Sequence, residues 1–276
     1  MENVQLFVSK LWKRTLLAFM LVFSFSSCEK QSNQIPPVLY PGYQHQKVGA
    51  STNDILSERK FSSLTVELQY MKGSRPEVKA VAELKTFLKQ HVHKSGGVKI
   101  VLSELDTSIT KILNIDDVRK IEDQHRKLLP INNRLTIYIL ITNGSHSDPN
   151  YLGMAYRNTS AVLFGGTIQQ HSGYKNILTK AELEASVLRH EMGHLMGLGI
   201  EPLAASSRKK SKGKHHHCEN EMCLMFHATE TRKLSFINRK GKIPQLDENC
   251  RQILMDNGGG NQASISTTDS YFLSGF

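Results

Sequence analysis

Apolar and polar positions alternate along SLTVELQY, from Ser63 to Tyr70, the period of a half-buried strand. Pro76 then suits a first helical turn. In EVKAVAELKTFLKQHV the apolar residues recur at Val78, Val81, Leu84 and Leu88, which is helical spacing. Gly96-Gly97 ends that helix, and VKIVL predicts a second strand. NIDDVRKIEDQHRKLLP predicts a second helix, charged on one face and stopped by Pro130. RLTIYILIT is β-branched and apolar throughout, so it predicts a central strand covered on both faces. GMAYR and SAVLFGG flank Asn158-Thr159, a hairpin turn signal. TKAELEASVLRHEMGHLMG predicts a third helix, with Thr179 as N-cap and Glu182 as its capping-box partner. Strand, helix, strand, helix, strand gives an α/β fold with right-handed crossovers. The hairpin adds an antiparallel strand near one edge.

The pattern is lost at both ends. MENVQLFVSKLWKR carries Lys10, Lys13 and Arg14, and the apolar run TLLAFMLVFSFSS follows, ending at Cys28. A basic start, a short apolar stretch and small residues read as an export signal over 1–27; the run falls short of the roughly 20 apolar residues of a membrane span. SFSSC resembles a bacterial lipobox, with Phe25 where an aliphatic residue is usual, and this makes Cys28 the expected lipidation site. Residues 28–60 are rich in Pro, Gln and Ser and are expected to form a flexible tether. The folded domain is expected over 61–257, and the Gly- and Ser-rich stretch 258–276 as a disordered tail.

Composition changes this picture little. With 39% apolar and 22% charged residues among 276, the chain can bury a real core. The net charge is +10, and RKKSKGK, Arg208 to Lys214, concentrates five basic residues in one run. That run reads as a solvated loop. No aromatic residues interleave with it, so a nucleic-acid partner is not expected.

The chemistry is concentrated in RHEMGHLMGLG. His190 and His194 stand four apart on the third helix and so lie on one face, able to grip one ion. Glu191 follows His190 and can reach a metal-bound water without being a ligand, which is the mechanical sense of H-E-x-x-H. A hydrolytic zinc needs a third protein ligand. Farther on stand His217 and Cys218, four more residues, then Cys223, Leu224 and Met225.

This pair of half-motifs resembles the archaemetzincins, a branch of the metzincin zinc peptidases, whose pattern is HExxHxxGxxHC, four residues, CxM, and a later CxxC. His190, Glu191, His194 and Gly197 match the first half; His217, Cys218, Cys223 and Met225 match the second. The family has two residues between glycine and histidine, whereas this chain has 198–216, an insertion of about seventeen. Lengthening a surface loop costs only about 0.6 kcal/mol per doubling, so the site can survive it. The register selects His217 rather than His215 or His216. These three adjacent histidines can also be read as a weak surface metal trap.

The resemblance implies a metzincin-like mixed β-sheet with crossover helices, an active-site helix and a Met-turn at Met225. It implies catalytic zinc on His190, His194 and His217, with Glu191 as general base toward peptide or protein substrates held along GMAYR or SAVLFGG. It also implies a second, structural zinc on Cys218, Cys223 and Cys250, with Asp247 where the family has a cysteine. A Cys218–Cys223 disulfide is the alternative. With the signal and Cys28, the expectation is a lipid-anchored peptidase of the bacterial envelope, facing periplasm or exterior, with membrane contact through the anchor. A non-catalytic zinc- or peptide-binding envelope lipoprotein and a metal-free structural adaptor are the competing classes.

Overall fold

β-branched and aliphatic runs dominate the centre of the chain, and they form the middle of a five-stranded sheet. The computed structural model describes residues 36–107, 112–173, 178–200, 217–227 and 243–260; Cys28, His215, His216 and the basic run 208–214 lie outside them. The chain divides into two units, Met1–Pro37 and Val38–Phe276, and the fold is that of the second. The strands are β1 (Ser63–Met71), β2 (Val98–Leu105), β4 (Arg134–Thr142), β6 (Gly153–Arg157) and β7 (Ser160–Phe164), in the order β2-β1-β4-β7-β6. β1 is parallel to β2 and β4, β4 is parallel to β7, and β6 alone is antiparallel. Two short strands, β3 (Ile112–Leu113) and β5 (Ser145–His146), pair separately.

Each face of the sheet carries its own core. Leu64, Val66 and Leu68 of β1 and Leu135, Ile137 and Ile139 of β4 join the larger cluster. It includes Leu84 and Phe87 of α2 (Val78–His91) and Val187 and Leu188 of α5 (Lys180–Leu195). Tyr138, Leu140 and Val162 face the other way, with Val118 and Ile121 of α3 (Ile115–His125). This is helix, sheet, helix, the layering expected of a mostly parallel sheet. No helix among the described residues is long and apolar enough to cross a membrane.

Several local expectations change. β1 is buried on both faces, because β2 and β4 flank it and its polar face is occupied. The Glu67 carboxylate accepts from the Lys127 and Leu128 amides, and the Gln69 amide donates to the His125 carbonyl. Those bonds hold the chain just beyond Arg126, the extended C-cap, and α3 ends at His125, well before Pro130. Val78 is 75% exposed. The buried stripe of α2 is Ala80, Leu84, Phe87 and Leu88, and Val78 lies about 200° around the axis from Ala80. SAVLFGG is an interior strand rather than an edge. Its glycines open α4 (Gly165–Gln170), where a Cβ on Gly165 would stand 2.4 Å from the Thr142 carbonyl oxygen.

Within the stretch expected as tether, the chain is already packed. Tyr43, Ile55 and Leu56 are buried, the last two in α1 (Thr52–Leu56). Asn158 at the β6–β7 turn donates to the Tyr43 carbonyl and to Ser51. A last helix, α6 (Glu248–Asp256), follows the Asp247 N-cap and was not anticipated from its sequence.

Candidate metal centre

Helix α5 begins as its sequence dictates. The Thr179 side chain accepts from the Glu182 amide, and the Glu182 carboxylate accepts from the Thr179 amide. From Leu183 to Leu195 every residue is buried. α2, the β6–β7 hairpin and the segment around Met225 surround it, which is why its sequence is apolar on more than one face. Gly193 makes room for the last of these: a Cβ there would stand 2.4 Å from Met225 Sδ. Gly197, at φ 93°, turns the chain away in a left-handed conformation that glycine adopts without a steric cost.

This turn and the Met225 segment each supply a carbonyl to one of the helical histidines. His190 Nδ1 lies 2.8 Å from the Leu224 carbonyl oxygen, and His194 Nδ1 lies 3.0 Å from that of Leu198. A carbonyl oxygen only accepts, so each Nδ1 donates and the Nε2 of each ring is turned toward the other. The two Nε2 atoms are 3.1 Å apart. Two nitrogen lone pairs at that distance repel, and a proton or a metal cation between them relieves the repulsion. Nitrogens each about 2.0–2.1 Å from a tetrahedral zinc are about 3.3 Å apart, so the pair fits that ion.

His217 joins them across the insertion. Its ring stacks on His190 at 5.4 Å and meets His194 edge-on at 5.1 Å. One nitrogen from each of His190, His194 and His217 lies within 4.8 Å of the others. Three imidazoles converging from a helix and a separate turn are a donor set suited to zinc. Glu191 is buried, and its Oε1 would lie 3.1 Å from a Cβ at Gly153, so the carboxylate points toward the start of edge strand β6. Met225 is buried beneath the helix with Leu224 and Cys223.

A second cluster lies on the same turn. The ligand atoms of Cys218, Cys223, Asp247 and Cys250 are within 4.8 Å of one another, and no disulfide links these three cysteines. The amides of Met225 and Asp247 both donate to Cys223 Sγ, each at 3.4 Å. Hydrogen bonds from Cys218 and then Cys250, helped by these two amides, hold the Cys223 thiol down at about 4. The same shared protons push the Cys218 and Cys250 thiols up. Amide donors around a sulfur favour the thiolate that zinc requires, so this donor set also fits a metal. Asp247 has two tasks: Oδ1 accepts from the Cys250 amide and caps α6, while Oδ2 stands 3.2 Å from Cys218 Sγ.

The sequence pointed to the side chains but not to what holds them. The Leu198 and Leu224 carbonyls carry no sequence signal, since every residue has one. Arg189 was overlooked beside His190, although a charged residue in an otherwise buried helix is a signal. It is 2% exposed, its Nη2 donates to Gln245 Oε1 at 2.6 Å, and its guanidinium lies 5.0 Å above the Phe87 ring.

No protein-family model and no curated protein sequence matches the chain. Solved structures do. One is archaemetzincin from Methanopyrus kandleri, 18% identical, covering 71% of this chain and 96% of that one at a TM-score of 0.47. Another is metalloproteinase-II from Bacteroides fragilis, 12% identical at a TM-score of 0.40, covering 73% of this chain and 54% of that one.

Proposed function

We propose that the chain is a zinc-dependent peptidase that hydrolyses peptide bonds, with His190, His194 and His217 as zinc ligands. The observation that carries this reading is the 3.1 Å approach of two histidine nitrogens whose protons are held on the far side of each ring. Zinc in such a site supplies Lewis-acid chemistry, acidifying water and polarising a carbonyl. Glu191 is the general base: it accepts the proton of the attacking water and passes it to the leaving amine. Its burial between α5 and Gly153 keeps the carboxylate aimed at the edge of the sheet. β6 is the edge strand, and Met154 and Ala155 are only half-buried along it. An extended peptide can add there by backbone pairing, which gives affinity for the main chain whatever its side chains.

Cys218, Cys223, Cys250 and Asp247 form a structural zinc site that steadies the turn carrying Met225 and His217. Cys28 carries lipid after removal of residues 1–27, which places the enzyme on the bacterial envelope, facing periplasm or exterior. A peptide-library digest with and without chelator, followed by zinc re-addition, tests the peptidase reading. Cleavage that chelator abolishes and zinc restores supports it. Stoichiometric zinc with no cleavage would instead leave the non-catalytic binding lipoprotein.

A further inference from the structure

We infer that Arg189 is a positioning residue for the metal centre, acting through Gln245 and Leu224 on the ring of His190; the inference rests on the zinc reading of the three histidines. The bonds form a closed circuit. Arg189 Nη2 donates to Gln245 Oε1 at 2.6 Å. The Gln245 carbonyl accepts from the Leu224 amide at 2.8 Å. The Leu224 carbonyl takes the Nδ1 proton of His190 at 2.8 Å. His190 follows Arg189 on α5, so the circuit begins and ends on adjacent residues of one helix. Those residues project about 100° apart and hold the paired segments at Leu224 and Gln245 from two directions.

Packing alone does not call for a guanidinium here. Arg189 is 2% exposed, its carboxylate partner Glu83 is 3.4 Å away and 35% exposed, and its Nε has no partner among the described residues. A methionine would fill the volume without the desolvation cost of a buried charge. What an arginine adds is reach and a charge-assisted bond to the segment whose backbone fixes the Leu224 carbonyl. That carbonyl accepts from His190 Nδ1 and so fixes the rotation of the ring, and outer partners of this kind orient a ligand. Gln245 also lies two residues before Asp247, and its backbone bridges Cys223. The same clamp therefore reaches the thiolate cluster.

The test uses the full chain with zinc under chelator competition, and cobalt(II) alone as a spectroscopic probe of the histidine site. Thiolate-bound cobalt absorbs separately through its charge-transfer bands. Arg189→Met and Gln245→Met should each stay folded by circular dichroism, yet weaken zinc at the histidine centre about 10–100-fold and shift its cobalt d–d bands. The double variant should lose no more than either single one, and Arg189→Lys should recover part of the affinity. If Arg189→Met fails to fold, Gln245→Met, at an exposed position, breaks the same bond and carries the test. Variants with a lower Tm but unchanged zinc affinity and cobalt spectrum would overturn the inference, leaving Arg189 a packing residue. A wild-type chain with no zinc uptake sensitive to His194→Ala would overturn the zinc reading and this inference with it.

Discussion

His190 and His194 face each other through Nε2 atoms 3.1 Å apart, because the Leu224 and Leu198 carbonyls accept from Nδ1 on the opposite side of each ring. The helix gives the spacing, Gly197 turns the chain so that Leu198 can accept, and the Met225 segment brings Leu224. A third nitrogen from His217 completes a donor set that no single element of the fold could supply.

The contribution of His217 can be separated from that of its neighbours. His217→Ala should weaken zinc by more than the roughly 10–100-fold typical of losing an outer partner, while His215→Ala and His216→Ala should stay close to wild type. Chelator competition on the three variants decides this. Loss of metal from either neighbour alone would place the ligand one or two residues earlier.

Gly153 is predicted to be intolerant of a side chain. A Cβ there would stand 2.6 Å from Val187 Cγ1, 3.1 Å from Glu191 Oε1 and 3.1 Å from the Val162 carbonyl oxygen. Gly153→Ala should cost about 1–3 kcal/mol of stability by overpacking. It should also lower hydrolysis with zinc retained, since the displaced groups are the base and its supports rather than the ligands. Thermal unfolding and zinc per chain, measured beside the cleavage rate, check both halves.

How much of this was legible varies with the physics involved. β4, the β6–β7 turn and the start of α5 were readable because apolar runs, turn residues and a capping box act locally. The tautomers of His190 and His194 were not, because they depend on carbonyls supplied by distant or turning chain. β1 looked half-exposed because its polar face, Glu67 and Gln69, is buried against a segment about 60 residues away. DENC drew attention as a ligand motif, and its plainer role was missed: Asp247 N-caps a helix. His217 was singled out by register alone, across an insertion that gives no periodic signal, and it lies with His190 and His194.

The double role of Asp247 can be taken apart. Asp247→Asn should keep the cap, since Asn serves there as well as Asp, and yet weaken zinc at the cysteine cluster. Asp247→Ala should lose both, adding about 0.5–2 kcal/mol of destabilisation, and Asp247→Cys should tighten the metal. Before chelation, alkylation of Cys218, Cys223 and Cys250 should be slow. One zinc per active chain together with a mapped Cys218–Cys223 bond would replace the second metal with a covalent staple.

The anchor is tested apart from the fold. Cys28→Ser should release the protein from detergent-extractable membrane into the soluble fraction, or block its processing. Unchanged partitioning and unchanged mass would end the lipoprotein reading and leave the metal centre untouched.

The central claim is a hydrolytic zinc site with Glu191 as its base, and the most direct measurement pairs zinc content with cleavage rate in Glu191→Ala. The ligands are unaltered in that variant, so zinc occupancy should stay near wild type while peptide hydrolysis falls by about 10²–10⁴-fold, the usual worth of a positioned base. A variant that holds zinc and cleaves as fast as wild type would contradict the account.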